Sequence, residues 1–167
     1  MERKAFTNEL ASECSGRTMR RGAVTVELAL VAPLIIFLLF SILEIGFMVK
    51  DRAELGQAAR EAARIAAVGG TPARMNQGVA TSLATIPDQQ VTMEYRYRPW
   101  DDQTQTWGSW TNLGTDGTTN NATTGSQIRV RLNYNHRLLV PSMMTSVLGA
   151  DESGDVELTA ASVMMRE

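Results

Sequence analysis

The sequence predicts an α+β protein: a long N-terminal helix, membrane-spanning at first and then amphipathic, packed against a small antiparallel β-sheet. Three observations lead there. Apolar residues crowd into 23–49, an alanine-rich stretch of helical period follows over 50–68, and beyond residue 90 the period switches to two. Helices repeat every 3.6 residues and half-buried strands every two, so the change of period marks a change of element. The 167 residues are 44% hydrophobic, but that average conceals the concentration of apolar residues near the N-terminus. With the anchor set aside, the chain is long enough for one small domain and too short for two.

Residues 1–22 are polar and lack a periodic apolar face, as expected of a leader without regular structure. They hold five Lys/Arg against three Glu, or +2, so the rest of the chain, at −2 overall, carries −4. Arg17, Arg20 and Arg21 press against the start of the apolar run, which places the N-terminus in the cytoplasm and the C-terminal part outside. A net charge of −2 offers no basic field for nucleic acid. The single cysteine, Cys14, excludes an intrachain disulfide, and no apolar segment precedes it as a lipoprotein signal requires.

Residues 23–49 read as a membrane-spanning helix. Sixteen residues, apolar except Ser41, separate Glu27 from Glu44; at 1.5 Å each they span about 24 Å, and their apolar flanks extend this to the ~30 Å of a bilayer core. Pro33 removes one backbone donor and predicts a local kink. Over 50–68, Ala58, Ala62 and Ala66 form one four-residue row and Ala59, Ala63 and Ala67 another, a seam that lets a second helix approach closely. Gly69-Gly70 ends this helix and Thr71-Pro72 starts a shorter one over 72–85. The remainder, 69–167, is expected to form an extracytoplasmic α+β domain.

In that domain VTMEYRYR (91–98), QIRVRLNYN (127–135) and DVELTAASVM (155–164) alternate apolar and polar residues, so each is a strand with one wet face. TWGSWTNL (106–113) is a fourth candidate, joined to the first strand through the polar turn DDQTQT. LGTDGTTNNATTGS (113–126) reads as a flexible loop, and 138–148 as a short helix starting near Pro141.

The residue that needs a chemical explanation is Glu27. A charge buried at mid-membrane costs about 2–3 kcal/mol on insertion scales, less near the surface, so a carboxylate there calls for a partner. Cleavage between Gly22 and Ala23 would supply one: a new α-ammonium four residues before Glu27, within reach on a helix and favoured by the helix dipole. The ammonium of a neighbouring subunit could serve the same carboxylate.

The basic residues, Gly22, Glu27 four residues beyond Ala23, and the apolar helix together resemble a type IV prepilin cleavage site. More narrowly, the chain resembles the TadE-like pseudopilins of the tight-adherence (Flp) pilus system. The resemblance is carried by Val26-Glu27-Leu28-Ala29-Leu30-Val31, Pro33-Leu34, Glu44-Ile45-Gly46-Phe47 and Ala59-Arg60-Glu61-Ala62-Ala63-Arg64. ASVMMRE (161–167) resembles the closing strand of that family. The resemblance implies a pilin-like fold in the inner membrane, single-pass, with cytoplasmic cleavage after Gly22 by a prepilin peptidase. It further implies a role as a minor pseudopilin whose assembly uses Glu27, Pro33 and Glu44, with other pseudopilins, pilus platform proteins and membrane lipid as partners. It implies no cofactor, and N-methylation of Ala23 is left open.

The remaining polar and aromatic residues have plainer readings. Glu44 at the outer membrane boundary is either a partner contact or a solvated acid. Trp100, Trp107 and Trp110 could form a surface contact for a sugar, but aromatics across a hairpin commonly stack on one another. His136 stands without a Ser or Cys nucleophile pattern, and DESGDVE (151–157) lacks EF-hand spacing. No P-loop, zinc spacing or nucleophile elbow is present, so catalysis is not expected. The alternative function is an uncleaved, membrane-tethered binding module that uses the Trp-rich hairpin.

Overall fold

The computed structural model describes residues 3–138 and 153–167, with side chains described at Gly22 and from Val24 onward. The short helix expected over 138–148 therefore lies almost wholly outside the described residues. The chain divides into two units, residues 1–43 and 44–167.

Helix α1 runs over Arg3–Ala67 without a break, and Pro33 lies inside it without ending it. The leader, expected to lack regular structure, is helical from Arg3. Extending an existing helix fixes one residue per hydrogen bond, whereas starting one is costly, so the apolar helix can propagate backward into a polar sequence. From Val24 to Leu43 the large apolar side chains face outward: Leu30 is 76% exposed and Ile42 65%. The hydroxyl of Ser41 donates to the Phe37 carbonyl at 2.8 Å, so the one polar side chain of the stretch is satisfied within its own helix.

In residues 44–167, α1 ends as the glycines predict. Gly69 takes φ +89, the left-handed conformation that favours glycine. Its N–H donates to Ala66 O at 3.0 Å, while Gly70 N–H donates to Ile65 O at 2.8 Å. This is the double closure of a Schellman motif. Helix α2, Pro72–Ser82, starts with Pro72 in its first turn and Thr71 as N-cap, whose hydroxyl accepts from Arg74 N–H.

Among the described residues eight strands follow: β1 Val91–Arg98, β2 Trp100–Asp101, β3 Thr106–Trp107, β4 Thr111–Asn112, β5 Thr115–Asp116, β6 Thr119–Asn120, β7 Gln127–Arg137 and β8 Asp155–Met165. The main sheet has the order β4-β1-β7-β8 with every pair antiparallel. The three strands read from two-residue alternation are β1, β7 and β8. The fourth is more broken than expected. Trp107 pairs with Trp100 in a separate β2–β3 ribbon, and only Thr111–Asn112 returns to pair with β1. Pro99, which lacks a donor, ends β1 there, and the Gly108 N–H caps its carbonyl at 2.9 Å.

The core joins α1, α2 and the sheet. Leu55, Ala58, Ala59, Ala62, Ala63 and Ala66 are fully buried with Met75, Val79, Ile128, Val130 and Leu132. The alanine seam is thus closed within this chain, by the sheet and by α2. At Gly78 an added Cβ would stand 2.4 Å from Ile65 Cδ1, so α2 approaches α1 closely there and a larger residue would have to displace the Ile65 side chain.

The segment 113–126, expected to be a flexible loop, is a locked hairpin, β5–β6. Asn120 is 3% exposed, and its amide donates to Ala66 O at 2.8 Å and Gly70 O at 3.0 Å. Its backbone N–H donates to Gly69 O, and Arg166 and Glu167 donate to Ala67 O. These donors satisfy carbonyls that a helix end leaves open. The polar composition that suggests a loop therefore supplies the buried cap of α1.

Candidate functional site

Gly22 is exposed, and a Cβ added there would meet nothing within 4 Å. Glu27 and Pro33 are exposed on the same helix, and Glu27 has no ion-pair partner among the described residues. Val24, Val26 and Leu28 are each more than 60% exposed around it. The helix is long and apolar enough to cross a membrane, and only 6% of its most apolar window is buried by the protein itself. These side chains need an apolar surrounding that the chain does not provide. The side chain of Ala23 lies outside the described residues.

Glu44 has a different environment. It is 3% exposed, and its Oε1 stands 3.3 Å from His136 Nε2. The other ring nitrogen, Nδ1, is 2.8 Å from Asp51 Oδ2, with Asp51 8% and His136 also 8% exposed. Glu44 and Asp51 lie seven residues apart, two turns along one face of α1, and the imidazole of β7 bridges them. Each ring nitrogen thus lies within hydrogen-bonding distance of a carboxylate, so His136 ties two acids of α1 to β7. The ring of Tyr134 stands 6.3 Å away, edge-on to the imidazole. The boundary acid is therefore held inside its own chain and not solvated. From the sequence His136 had no partner; in the structure Asp51 also stands 3.6 Å from the half-exposed Lys50 ammonium. The seven-residue spacing of Glu44 and Asp51 was the available signal, but a partner more than eighty residues away gives no local one. Among the described residues no group of three or more His, Cys, Asp or Glu is arranged to hold a metal.

One turn beyond Asp51, Glu54 fastens the loop after α2. Its carboxylate accepts from the backbone N–H groups of Ala84, Thr85 and Ile86 and from the Thr85 hydroxyl. Burial acts to raise this carboxyl, but the four hydrogen bonds, those from Thr85 foremost, outweigh it and hold the pKa at about 2. Lys50 adds an ion pair at 3.7 Å from a half-exposed ammonium, which contributes little.

The tryptophans do not form an open platform. Trp100 and Trp107 meet edge to face at 4.9 Å across the β2–β3 ribbon. Trp110 lies apart from them, beneath two guanidiniums: Arg129 at 4.3 Å and Arg98 at 4.7 Å from its ring centre. Only Trp100 remains largely open, at 41%.

Compared with known proteins, the chain matches a family model described as TadE-like protein over residues 22–64. No curated protein and no solved structure matches it.

Proposed function

With residues 22–64 a TadE-like segment, which ties the chain to the tight-adherence (Flp) pilus system, we propose that this protein is a minor pseudopilin, a structural subunit of pilus assembly cut after Gly22 by a prepilin peptidase. The observation that carries the proposal is where the match begins: at Gly22, with the basic leader left outside it. The exposed Glu27 supports it. In this reading the leader is cytoplasmic and the 44–167 unit extracytoplasmic. Cleavage frees an ammonium at Ala23 one helical turn before Glu27, and that pair, or its counterpart between neighbouring subunits, brings an acid into the apolar packing of the helices. The apolar residues of 24–43 then pack against lipid before assembly and against other pseudopilins after it. Glu44, held by His136, serves the chain's own fold and not a neighbour.

Intact mass of the membrane-extracted protein is the test. Cells with the peptidase are expected to yield a chain beginning at Ala23, and cells without it the full-length chain. Retention of Met1–Gly22 in peptidase-competent cells would refute the proposal and leave a tethered, uncleaved domain. A second expectation concerns Glu27→Ala: the variant inserts and is cleaved, yet pilus output measured by shearing and immunoblot falls severalfold. Normal output would remove the ammonium pairing from the account.

A further inference from the structure

We propose that the outward face of the main sheet binds an acidic polysaccharide, a chain bearing uronate carboxylates. Met93, Tyr95, Tyr97, Ile128, Val130 and Leu132 point into the core, so alternation places Glu94, Arg96, Arg98, Arg129 and Arg131 on the opposite side. The register sets Arg96 directly across from Arg129 and Glu94 across from Arg131. Like charges in direct opposition weaken a sheet, and this fold gains nothing evident from the Arg96–Arg129 pairing. Glu94 is shared by Arg96 and Arg131, so at this end of the face four guanidiniums meet one carboxylate, while the other described acids of the face, Asp155 and Glu157, sit at the far end of β8. Arg96 and Arg131 keep 40% and 42% of their side chains exposed, while their Nε atoms, and Oδ1 of the adjacent Asn133, are buried without partners. A chain that is acidic overall therefore presents a local basic grid that its net charge of −2 conceals.

The chemistry of the grid selects the occupant. Guanidinium forks match carboxylates in paired hydrogen bonds. Alternate residues repeat about 6.6 Å along a strand, so successive arginines can engage a series of acidic groups on one polymer. Arg98 and Arg129 are held in place over Trp110, and Arg98 donates to Gln127 Oε1, so two of the four forks are oriented before binding. Val163 and Met165, opposite Arg129 and Gln127 and both about half exposed, offer apolar surface for the C–H faces of sugar rings. A single-stranded nucleic acid would want open aromatic faces for its bases, and here Trp110 already carries two guanidiniums. The inference stands on the sheet alone and does not depend on cleavage at Gly22.

The test is titration of the full, detergent-solubilised protein with alginate fragments, neutral dextran and oligo(dT), read by tryptophan fluorescence. Alginate is expected to bind, and to bind more weakly as salt rises from about 50 to about 200 mM. R129Q and R131Q are each expected to weaken it about tenfold, whereas R60Q on the exposed side of α1 leaves it unchanged. The salt series and the dextran comparison need no variant, so a folding defect in R129Q would not blunt the test. Absence of alginate binding at low salt, equal binding of dextran, equal or tighter binding of oligo(dT), or an equal loss in R60Q would each overturn the proposal.

Discussion

His136→Leu is expected to destabilise the 44–167 unit by about 3–5 kcal/mol, the usual cost of removing one member of a buried ionic cluster. The imidazole lies between Asp51 at 2.8 Å and Glu44 at 3.3 Å, all three side chains nearly closed to water. Leucine fills the space but leaves two buried carboxylates, seven residues apart on one helix face, without the ring that bridges them. Small domains are stable by only about 5–15 kcal/mol, so a loss of that size puts a sizeable share of the protein near its unfolding threshold. Urea denaturation of the detergent-solubilised protein, followed by tryptophan fluorescence, gives the number. A loss below about 1 kcal/mol would mean that the cluster does not hold β7 to α1.

Glu54→Gln is expected to cost on the order of 3 kcal/mol at neutral pH, and the loss should depend on pH with a definite sign. The carboxyl has a folded pKa of about 2 against its ordinary 4.5. A depressed acid adds stability that is complete above the unfolded value and disappears as the pH falls through the folded one. The gap between Glu54→Gln and the unaltered protein should therefore be constant from pH 7 down to about 5, shrink between about 4.5 and about 2, and close below that. A gap that persists below pH 2, or one that is already absent at pH 7, would show that the three loop N–H groups draw no stability from the charge. Urea midpoints at a series of pH values measure it.

Much of the fold can be read from local pattern because its causes are local. The 24–49 helix follows from continuous apolar content, the end of α1 from Gly69-Gly70, the start of α2 from Thr71-Pro72, and β1, β7 and β8 from two-residue alternation. The alanine rows are also legible, and a helix of such small residues can lie close enough to a sheet for Leu55, Met75 and Ile128 to share one core. Segment 113–126 shows the limit. Thr, Asn and Gly favour turns by their backbone chemistry, and they do form one at 117–118; that Asn120 then caps a helix fifty residues earlier is not a property of any window containing it.

By itself, the sequence determined the long apolar helix, the Gly22–Glu27 motif and the α+β order, since these rest on hydrophobicity and period along neighbouring residues. Only the tertiary structure decided that Glu44 and Asp51 enclose His136, that Glu54 holds the loop after α2, and that four arginines share one sheet face. The physical reason is that charge pairing acts through space: a carboxylate looks the same in sequence whether its counter-ion comes from solvent, from the next helical turn, or from a strand ninety residues away.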